Sequence, residues 1–220
     1  RQRLIFLIIF YLYFLGGIIM EKAVTKKQAI STSNMVKISI LGVMSFILMF
    51  MNLPLPIFPA FLKIDFADIP SVIGGFALGP VAGIMIQLIK NILHFMFDNS
   101  TGGVGEISNF IVGGSFVLVS SSIYHAMRSK KGAIIGSIAG TIVMAMVGAL
   151  SNYFLIIPFY SNIMPIDVII NLGTVVNSAI HDKLTLVLYG VIPFNIFKGI
   201  VISVVTALLY KKVTPILKKK

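Results

Sequence analysis

The sequence predicts an all-α membrane protein that folds as a bundle of six transmembrane helices. Of its 220 residues, 57% are hydrophobic and only 11% are charged, whereas soluble domains carry about 25% charged residues. Apolar segments that approach the length needed to cross a hydrocarbon core of ~30 Å recur along the chain. The net charge is +11, but the basic residues cluster between these segments. That pattern reports membrane topology and argues against a nucleic-acid partner.

Six spans follow from the apolar segments and the breaks between them. We place them at residues 36–51, 69–78, 81–97, 104–127, 133–157 and 192–213. The second span is short and rich in glycine, so it crosses a bilayer only with tilt or with help from the residues before it. Gly79-Pro80 separates it from the third span, because proline cannot continue a preceding helix. The membrane domain is therefore residues 36–213, and a basic cytoplasmic tail, 214–220, follows it.

Residues 1–35 are predicted to be a separate leader. An apolar run at 4–19 lies between basic residues, as in a signal peptide, and it could also form a short additional span. A third interpretation starts the native protein at Met20. Gly16-Gly17 and the residues after them are what a ribosome-binding site and its spacer would encode if translated in frame. The leader is then a vector or untranslated-region artefact.

The charges orient the six spans. Basic clusters precede the first span, join the fourth to the fifth and follow the sixth, so all of them fall on one side, which is the cytoplasm. Both termini are then inside, and the two longest connections, 52–68 and 158–191, are outside. The first connection carries three prolines, at 54, 56 and 59. This density favours a stiff, extended lid. Long ordered connections are usually functional.

A lysine inside the sixth span is the first candidate for a binding site. Inserting a lysine such as Lys198 into a bilayer at the middle of a helix costs about 2.5–3.5 kcal/mol, unless the ammonium has a partner or a water-filled cavity. Asn195 shares its helix face at a spacing of three residues. The pair can donate to a polar ligand. The alternative is a lysine that snorkels to the membrane interface.

Further polar residues converge on the outer half of the bundle. Asn152, with Tyr153 beside it, can meet a ligand there or hydrogen-bond to another helix. Asp65 can also reach a ligand. Asp68 is expected to be a solvated acid at the N-terminus of the second span, where the helix dipole favours it.

The third span carries Lys90 near mid-membrane, and the sequence offers no carboxylate at similar depth. We therefore favour a lysine buried against backbone carbonyls or Asn109 over a proton relay. His94, one turn further on, can reach Glu106 or Asp98 at the external rim.

No motif in the sequence indicates catalysis or metal binding. The chain has no cysteine, no Walker A loop and no HExxH motif. His181-Asp182 is a weak acid–base signal, because no motif places a nucleophile with it. We predict a binding protein with no catalytic and no metal-binding residues.

Five segments carry a family likeness: FPAFLKIDFADIP, GGFALGPVAGIMIQLIKNILHFM, GEISNFIVGG, SNYFLIIPFY and IPFNIFKG. Together, between about residues 44 and 199, they resemble the riboflavin-specific substrate-binding (S) subunits of energy-coupling factor (ECF) transporters. The resemblance implies a multi-pass protein of the bacterial cell membrane that holds riboflavin near its outer face. It implies riboflavin as the transported ligand, with no cofactor. Uptake would be powered by a transmembrane coupling (T) subunit and two cytoplasmic ATPases.

The resemblance also implies a set of ligand contacts. Asn195 and Lys198 would contact the isoalloxazine ring, and the rest of the set is Asn152, Asp65, Lys63 and Asn162, with Tyr153 beside Asn152. Four alternatives stay open. They are an S subunit for another vitamin or a modified base, a proton-coupled secondary transporter, an intramembrane enzyme built on Lys90 and His94, and a purely structural membrane subunit.

Overall fold

The computed structural model describes residues 31–98, 102–162 and 164–218, most of which are helical. The helices are α1 (Thr32–Met49), α2 (Asp68–Leu78), α3 (Pro80–Phe97), α4 (Val104–Met127), α5 (Lys130–Ser151), α6 (Ile157–Tyr160), α7 (Ile166–Thr174), α8 (Lys183–Leu186) and α9 (Ile192–Lys218). Nearly all of the predicted leader lies outside the described residues.

The described chain contains five helical segments that are long and apolar enough to cross a membrane: Thr32–Met49, Pro80–Phe97, Val104–Met127, Lys130–Tyr160 and Lys183–Tyr210. The remaining predicted span is the short apolar helix α2. The break after α2 falls at the predicted dipeptide. Gly79 has a φ of +116°, which favours glycine, and Pro80 opens α3.

Two π-helical turns interrupt the longest helical segments. Asn152–Ile156 joins α5 to α6, and Val187–Val191 joins α8 to α9. A proline follows each turn by two residues, Pro158 and Pro193. Proline lacks an N–H and clashes with the carbonyl four residues before it, and in both cases that carbonyl lies within the π turn. The wider turn lets each helix continue past its proline.

The short helix α2 lies inside the bundle. Every residue from Asp68 to Phe76 is buried, and the helix packs against α3, α4 and α9. Its apolar side chains share a core with the neighbouring helices: Val72, Ile73, Phe76, Ile86, Phe116 and Ile202. Because protein surrounds α2, even its first residue, Asp68, is buried inside the bundle.

The two long connections are built differently. In the first, β1 (Leu53–Pro54) pairs antiparallel with β2 (Lys63–Ile64), with Leu53 opposite Ile64. Between the strands, Phe58 packs edge-on against Phe194 of α9 at 5.3 Å between ring centroids. The second connection was predicted as a long loop. Instead α6, α7, α8 and the second π turn fill most of it, because its apolar stretches form helices that bury one face.

Candidate functional site

A cavity of about 320 Å³ lies between the first connection and the ends of α5 and α9. The connection contributes Asn52, Phe61, Leu62, Lys63 and Asp65 to its lining. The polar residues of the helices that face it are His94, Asp98, Glu106, Ser108, Asn109, Asn152, Tyr160, Asn195 and Lys198. Apolar side chains complete its walls, among them Met49, Met144, Ile156 and Phe194. The cavity therefore combines an apolar body with polar groups from several segments.

A buried network of four charges lies beside this cavity. Nζ of Lys198 is 2.9 Å from Oδ2 of Asp65 and 3.2 Å from Oδ2 of Asp68. Oδ1 of Asp68 accepts hydrogen bonds from Nζ of Lys90 at 2.5 Å and from Nε2 of Gln87 at 2.7 Å. The four charged residues are between 1% and 6% exposed. Two cations face two anions, so the network buries no net charge.

This network corrects two sequence-based expectations and excludes one alternative. Asp68 was predicted to be a solvated acid, but it is 1% exposed. Lys90 was predicted to lack a carboxylate at its depth, and Asp68 is that carboxylate. Both errors have one cause: α2 begins inside the bundle, so its first residue lies beside Lys90. Snorkelling of Lys198 is also wrong, because its ammonium points inward to two acids.

Two asparagines face the cavity from the π turn of α5 and from α9. Nδ2 of Asn152 donates to the Gly148 carbonyl at 2.9 Å, and Nδ2 of Asn195 donates to the Val191 carbonyl at 2.8 Å. These bonds hold both amides in place. Within the described part of the chain, neither side-chain oxygen has a hydrogen-bond partner. Both oxygens can therefore accept a hydrogen bond from a ligand.

Glycines allow these polar groups to approach the neighbouring helices. A Cβ at Gly113 would lie 2.8 Å from Oδ1 of Asp68. A Cβ at Gly148 would lie 2.7 Å from Nδ2 of Asn195. Both distances are shorter than a Cβ contact allows, so a side chain at either position would displace the Asp68 carboxylate or the Asn195 amide from its present place.

Comparison with known proteins identifies the family of this chain. The family model for the substrate-specific component of ECF transporters matches residues 33–210. The chain belongs to the S components of ECF transporters. A solved structure described as "Structure and mechanism of the S component of a bacterial ECF transporter" superposes on this S component with a TM-score of 0.66 at 40% identity. The match covers 84% of this chain and 98% of that one.

Two curated relatives of this S component are named as riboflavin transporters. Riboflavin transporter RibU of Staphylococcus aureus is 40% identical over 185 residues, covering 84% of this chain and 92% of the relative. Riboflavin transporter FmnP of Bacillus subtilis is 36% identical over 185 residues, covering 82% and 92%. These matches confirm the resemblance drawn from the five sequence segments.

The structure brings five of the seven predicted site residues of this S component to one cavity: Lys198, Asn195, Asn152, Asp65 and Lys63. The other two lie elsewhere. Tyr153 packs in the cluster formed with α7 and α8, and Nζ of Lys183 lies 4.3 Å from the centroid of its ring. Asn162 is exposed and donates to the Pro158 carbonyl at 3.3 Å. The ligand contacts of all seven stay predictions.

Sequence reasoning missed part of the cavity lining and its support. Gln87 donates a hydrogen bond to Asp68. The only sequence signal for this buried contact is the presence of three polar residues within the segment QLIKN of an apolar helix. At the rim, Nδ1 of His94 lies 2.7 Å from Oε1 of Glu106, as the sequence allowed. Both residues of this pair are less than 10% exposed. The pair closes the side of the cavity that faces α3 and α4.

His181-Asp182 has a structural explanation. The Asp182 carboxylate accepts hydrogen bonds from the backbone N–H of Thr185 and from its hydroxyl, both at 2.7 Å, and so caps α8. These two hydrogen bonds lower the pKa of Asp182. Within the described segments, no three His, Asp or Glu side chains cluster as metal ligands do.

The charge balance of the network can be tested with a double-mutant cycle. We expect Asp68→Asn and Lys90→Met each to destabilise the protein by about 3–5 kcal/mol, because each leaves an uncompensated buried charge. The double variant restores the charge balance. Its loss of unfolding free energy is therefore expected to be about 1–3 kcal/mol smaller than the sum of the losses of the two single variants. Thermal and denaturant unfolding in detergent measure these losses.

Lys131→Met is the matched control for this cycle, because Lys131 is exposed and its loss is expected to change stability by less than about 0.5 kcal/mol. Losses that simply add in the double variant would show that Asp68 and Lys90 do not stabilise each other.

Proposed function

We propose that this S component binds riboflavin in the cavity beneath the first connection and presents it for uptake. The observation that carries the proposal is the set of fixed polar groups on one cavity wall: the oxygens of Asn152 and Asn195 and the ammonium of Lys198. The isoalloxazine ring carries an imide N–H between two carbonyls. An amide oxygen can accept from that N–H, and an ammonium can donate to a flanking carbonyl.

Lys198 has the donors that this arrangement needs. An ammonium carries three protons, and two of them are directed at Asp65 and Asp68. The third is available to a ligand carbonyl. The two carboxylates keep the ammonium charged and fixed, so ligand binding does not have to order a mobile lysine.

The remaining surface suits the rest of the ligand. The cavity of about 320 Å³ is within the range of ~300–1,000 Å³ typical of small-molecule sites. Its apolar walls match a flat tricycle, and the polar rim around Glu106, Ser108 and Asn109 matches a hydroxylated tail. The two relatives named as riboflavin transporters support the choice of this vitamin over another.

The wider assignment rests on family membership and charge distribution. We place the chain in the bacterial plasma membrane as a six-helix bundle, with the start of α1, the turn at residues 128–131 and the end of α9 in the cytoplasm. Its partners are a transmembrane coupling subunit and two ATPases. The chain has no nucleotide-binding motif, and the buried acids Asp65, Asp68 and Glu106 are each paired with a base. It therefore acts as a binder and not as an enzyme or a proton-coupled pump.

The site is tested by removing its polar groups one at a time. We expect Lys198→Ala and Asn195→Ala each to weaken riboflavin binding by about 1–3 kcal/mol, because each leaves a ligand group unpaired. Flavin fluorescence titration of the purified protein measures this loss, which is roughly 5- to 150-fold in Kd. Asn195→Ala leaves the ion pairs intact, so it separates ligand contact from stability.

The control for this titration is Lys131→Ala, at the far end of the bundle, for which we expect no change in Kd. A folded Lys198 or Asn195 variant with unchanged affinity would remove that residue from the site. Release of a different compound, with no flavin, from denatured protein would rule out riboflavin itself.

Transport by the isolated chain separates an S component from a secondary transporter. In liposomes that contain only this protein and carry a proton gradient, we expect riboflavin binding but no accumulation, since the buried acids of the described chain are each paired with a base. Radiolabelled riboflavin retained inside the vesicles is the measurement. Accumulation above the equilibrium level would show that the chain is itself a proton-coupled transporter.

The first connection is expected to close over the bound ligand. Its strand pairing and the packing of Phe58 on Phe194 give it one ordered position against α9. Riboflavin is therefore expected to slow hydrogen exchange in residues 52–68 by about tenfold or more, and to leave the exposed turn around Arg128 unchanged. Hydrogen-exchange mass spectrometry compares the two regions. Equal protection of both, or of neither, would indicate that the ligand enters elsewhere.

A further inference from the structure

A second cavity, of about 910 Å³, lies between α4, α5 and α9 and extends from the turn at Arg128 to the level of Ile196. It shares no lining residue with the cavity proposed for riboflavin. Its rims are branched side chains of α5 and α9 that are between 41% and 61% exposed: Ile134, Ile138, Ile142, Ile196, Ile200 and Val204. Aromatic side chains line the end of the cavity near Arg128, where the rings of Phe76 and Tyr124 stack at 4.7 Å between centroids. We call this cavity the α5–α9 groove.

The mouth of the α5–α9 groove is basic. Arg128 and Lys130 line it, and Ser129 between them is the N-cap of α5. The N-terminus of a helix carries a partial positive charge, yet the first turn of α5 contains no acidic residue. Within the described chain, neither Arg128 nor Lys130 forms an ion pair. This end of the groove therefore concentrates positive charge that nothing in the described chain neutralises.

A buried hydroxyl without a partner lies deeper in the same groove. Thr206 is 2% exposed, and its Oγ1 has no hydrogen-bond partner within the residues described. A Cβ at Gly199 would lie 2.7 Å from Oγ1 of Thr141, so α9 faces α5 at that level. The two helices run in opposite directions. Thr206 is seven residues after Gly199 and Ile134 is seven residues before Thr141, so Thr206 and Ile134 lie at the same level. Thr206 thus lies between the basic mouth and the apolar length of the groove.

We propose that the α5–α9 groove binds an anionic phospholipid. The phosphate is held by Arg128, Lys130 and the N-terminus of α5, as basic pockets between membrane helices hold lipid headgroups. An ester oxygen of the glycerol backbone accepts the hydrogen bond that Thr206 has to offer. The acyl chains lie along the isoleucine rims. This site is separate from the riboflavin cavity, and the proposal does not depend on the ligand bound there.

The shape of the groove favours a lipid over a helix of a partner protein. Helices approach one another in membranes over small residues, whereas the rims here are isoleucine and valine and would hold a second helix backbone away. A flexible acyl chain fits between branched side chains. A free phosphate ion would satisfy the basic mouth but would leave the apolar groove and Thr206 without a partner.

Lipid titrations of the full-length protein, followed by native mass spectrometry, test the proposal. The probes are phosphatidylglycerol, phosphatidylcholine with the same acyl chains, and glycerol 3-phosphate as the headgroup alone. We expect phosphatidylglycerol to bind at least tenfold more tightly than phosphatidylcholine, and glycerol 3-phosphate to bind much more weakly than either. Arg128→Gln/Lys130→Gln is expected to weaken phosphatidylglycerol binding by about 25-fold, roughly fivefold for each charge. It is expected to weaken phosphatidylcholine binding by a smaller factor, because the choline cation offsets the charge of that lipid's phosphate.

Thr206→Val separates the two parts of the site. Valine matches threonine in shape, and both phospholipids have ester oxygens, so we expect it to weaken both by about fivefold. Lys131→Gln is the charge control, because Lys131 is exposed and does not line the groove. Unchanged gel-filtration profiles and unchanged unfolding midpoints show that each variant is folded.

Four outcomes would overturn the proposal. Equal affinity for the two phospholipids would show that the groove does not select an anionic lipid. If Lys131→Gln weakened phosphatidylglycerol binding as much as Arg128→Gln/Lys130→Gln, the preference would come from general surface charge. Glycerol 3-phosphate binding as tight as that of phosphatidylglycerol would make it a phosphate site. The protein could also bind all three probes with the same affinity, while coupling subunits protect the α5–α9 groove from hydrogen exchange. That result would show that the groove binds a protein partner.

Discussion

The ion pairs of Lys198 and Lys90 with Asp65 and Asp68 are the interaction on which the architecture of the binding end depends. A single charge in a bilayer interior is unfavourable, and a buried ion pair is stable only when each charge is compensated and hydrogen-bonded. Here the first connection supplies Asp65, α2 supplies Asp68, α3 supplies Lys90 and α9 supplies Lys198. None of these four segments can move far without leaving a charge uncompensated, so the network fixes their relative positions.

The same network determines the chemistry of the cavity. Lys198 and Asp65 belong both to the ion pairs and to the cavity lining, so the connection that lines the cavity also positions the ammonium that we propose as a donor to the ligand. A displaced connection would deprive Lys198 of one carboxylate and would open the cavity at the same time. In the proposed function, ligand binding and the position of the connection are therefore energetically linked through one ammonium group.

The helices, the break at Gly79-Pro80 and the polar pair on the last span were predictable because they depend on local patterns. Hydropathy marks a span, proline ends a helix, and two polar residues three apart share a face. The partner of Lys90 was not predictable, because it depends on how deep α2 begins, and tertiary packing decides that depth. The π turns were missed because a proline in the sequence predicts a helix break. The helices of the second connection were missed because apolar stretches between spans were interpreted as parts of a loop.

The two ends of the bundle neutralise charge in different ways. At the binding end, the buried lysines have acids of the same chain as partners, because hydrocarbon and packed side chains cannot solvate an ion. At the opposite end, Arg128 and Lys130 lie at the exposed start of α5, where water or lipid headgroups can reach them. The chain has 18 basic and 7 acidic side chains and a net charge of +11, so its acids cannot neutralise most of the basic charge. Asp65, Asp68 and Glu106 are the acids that burial brings beside a base, and the excess positive charge remains where an anionic membrane surface can meet it.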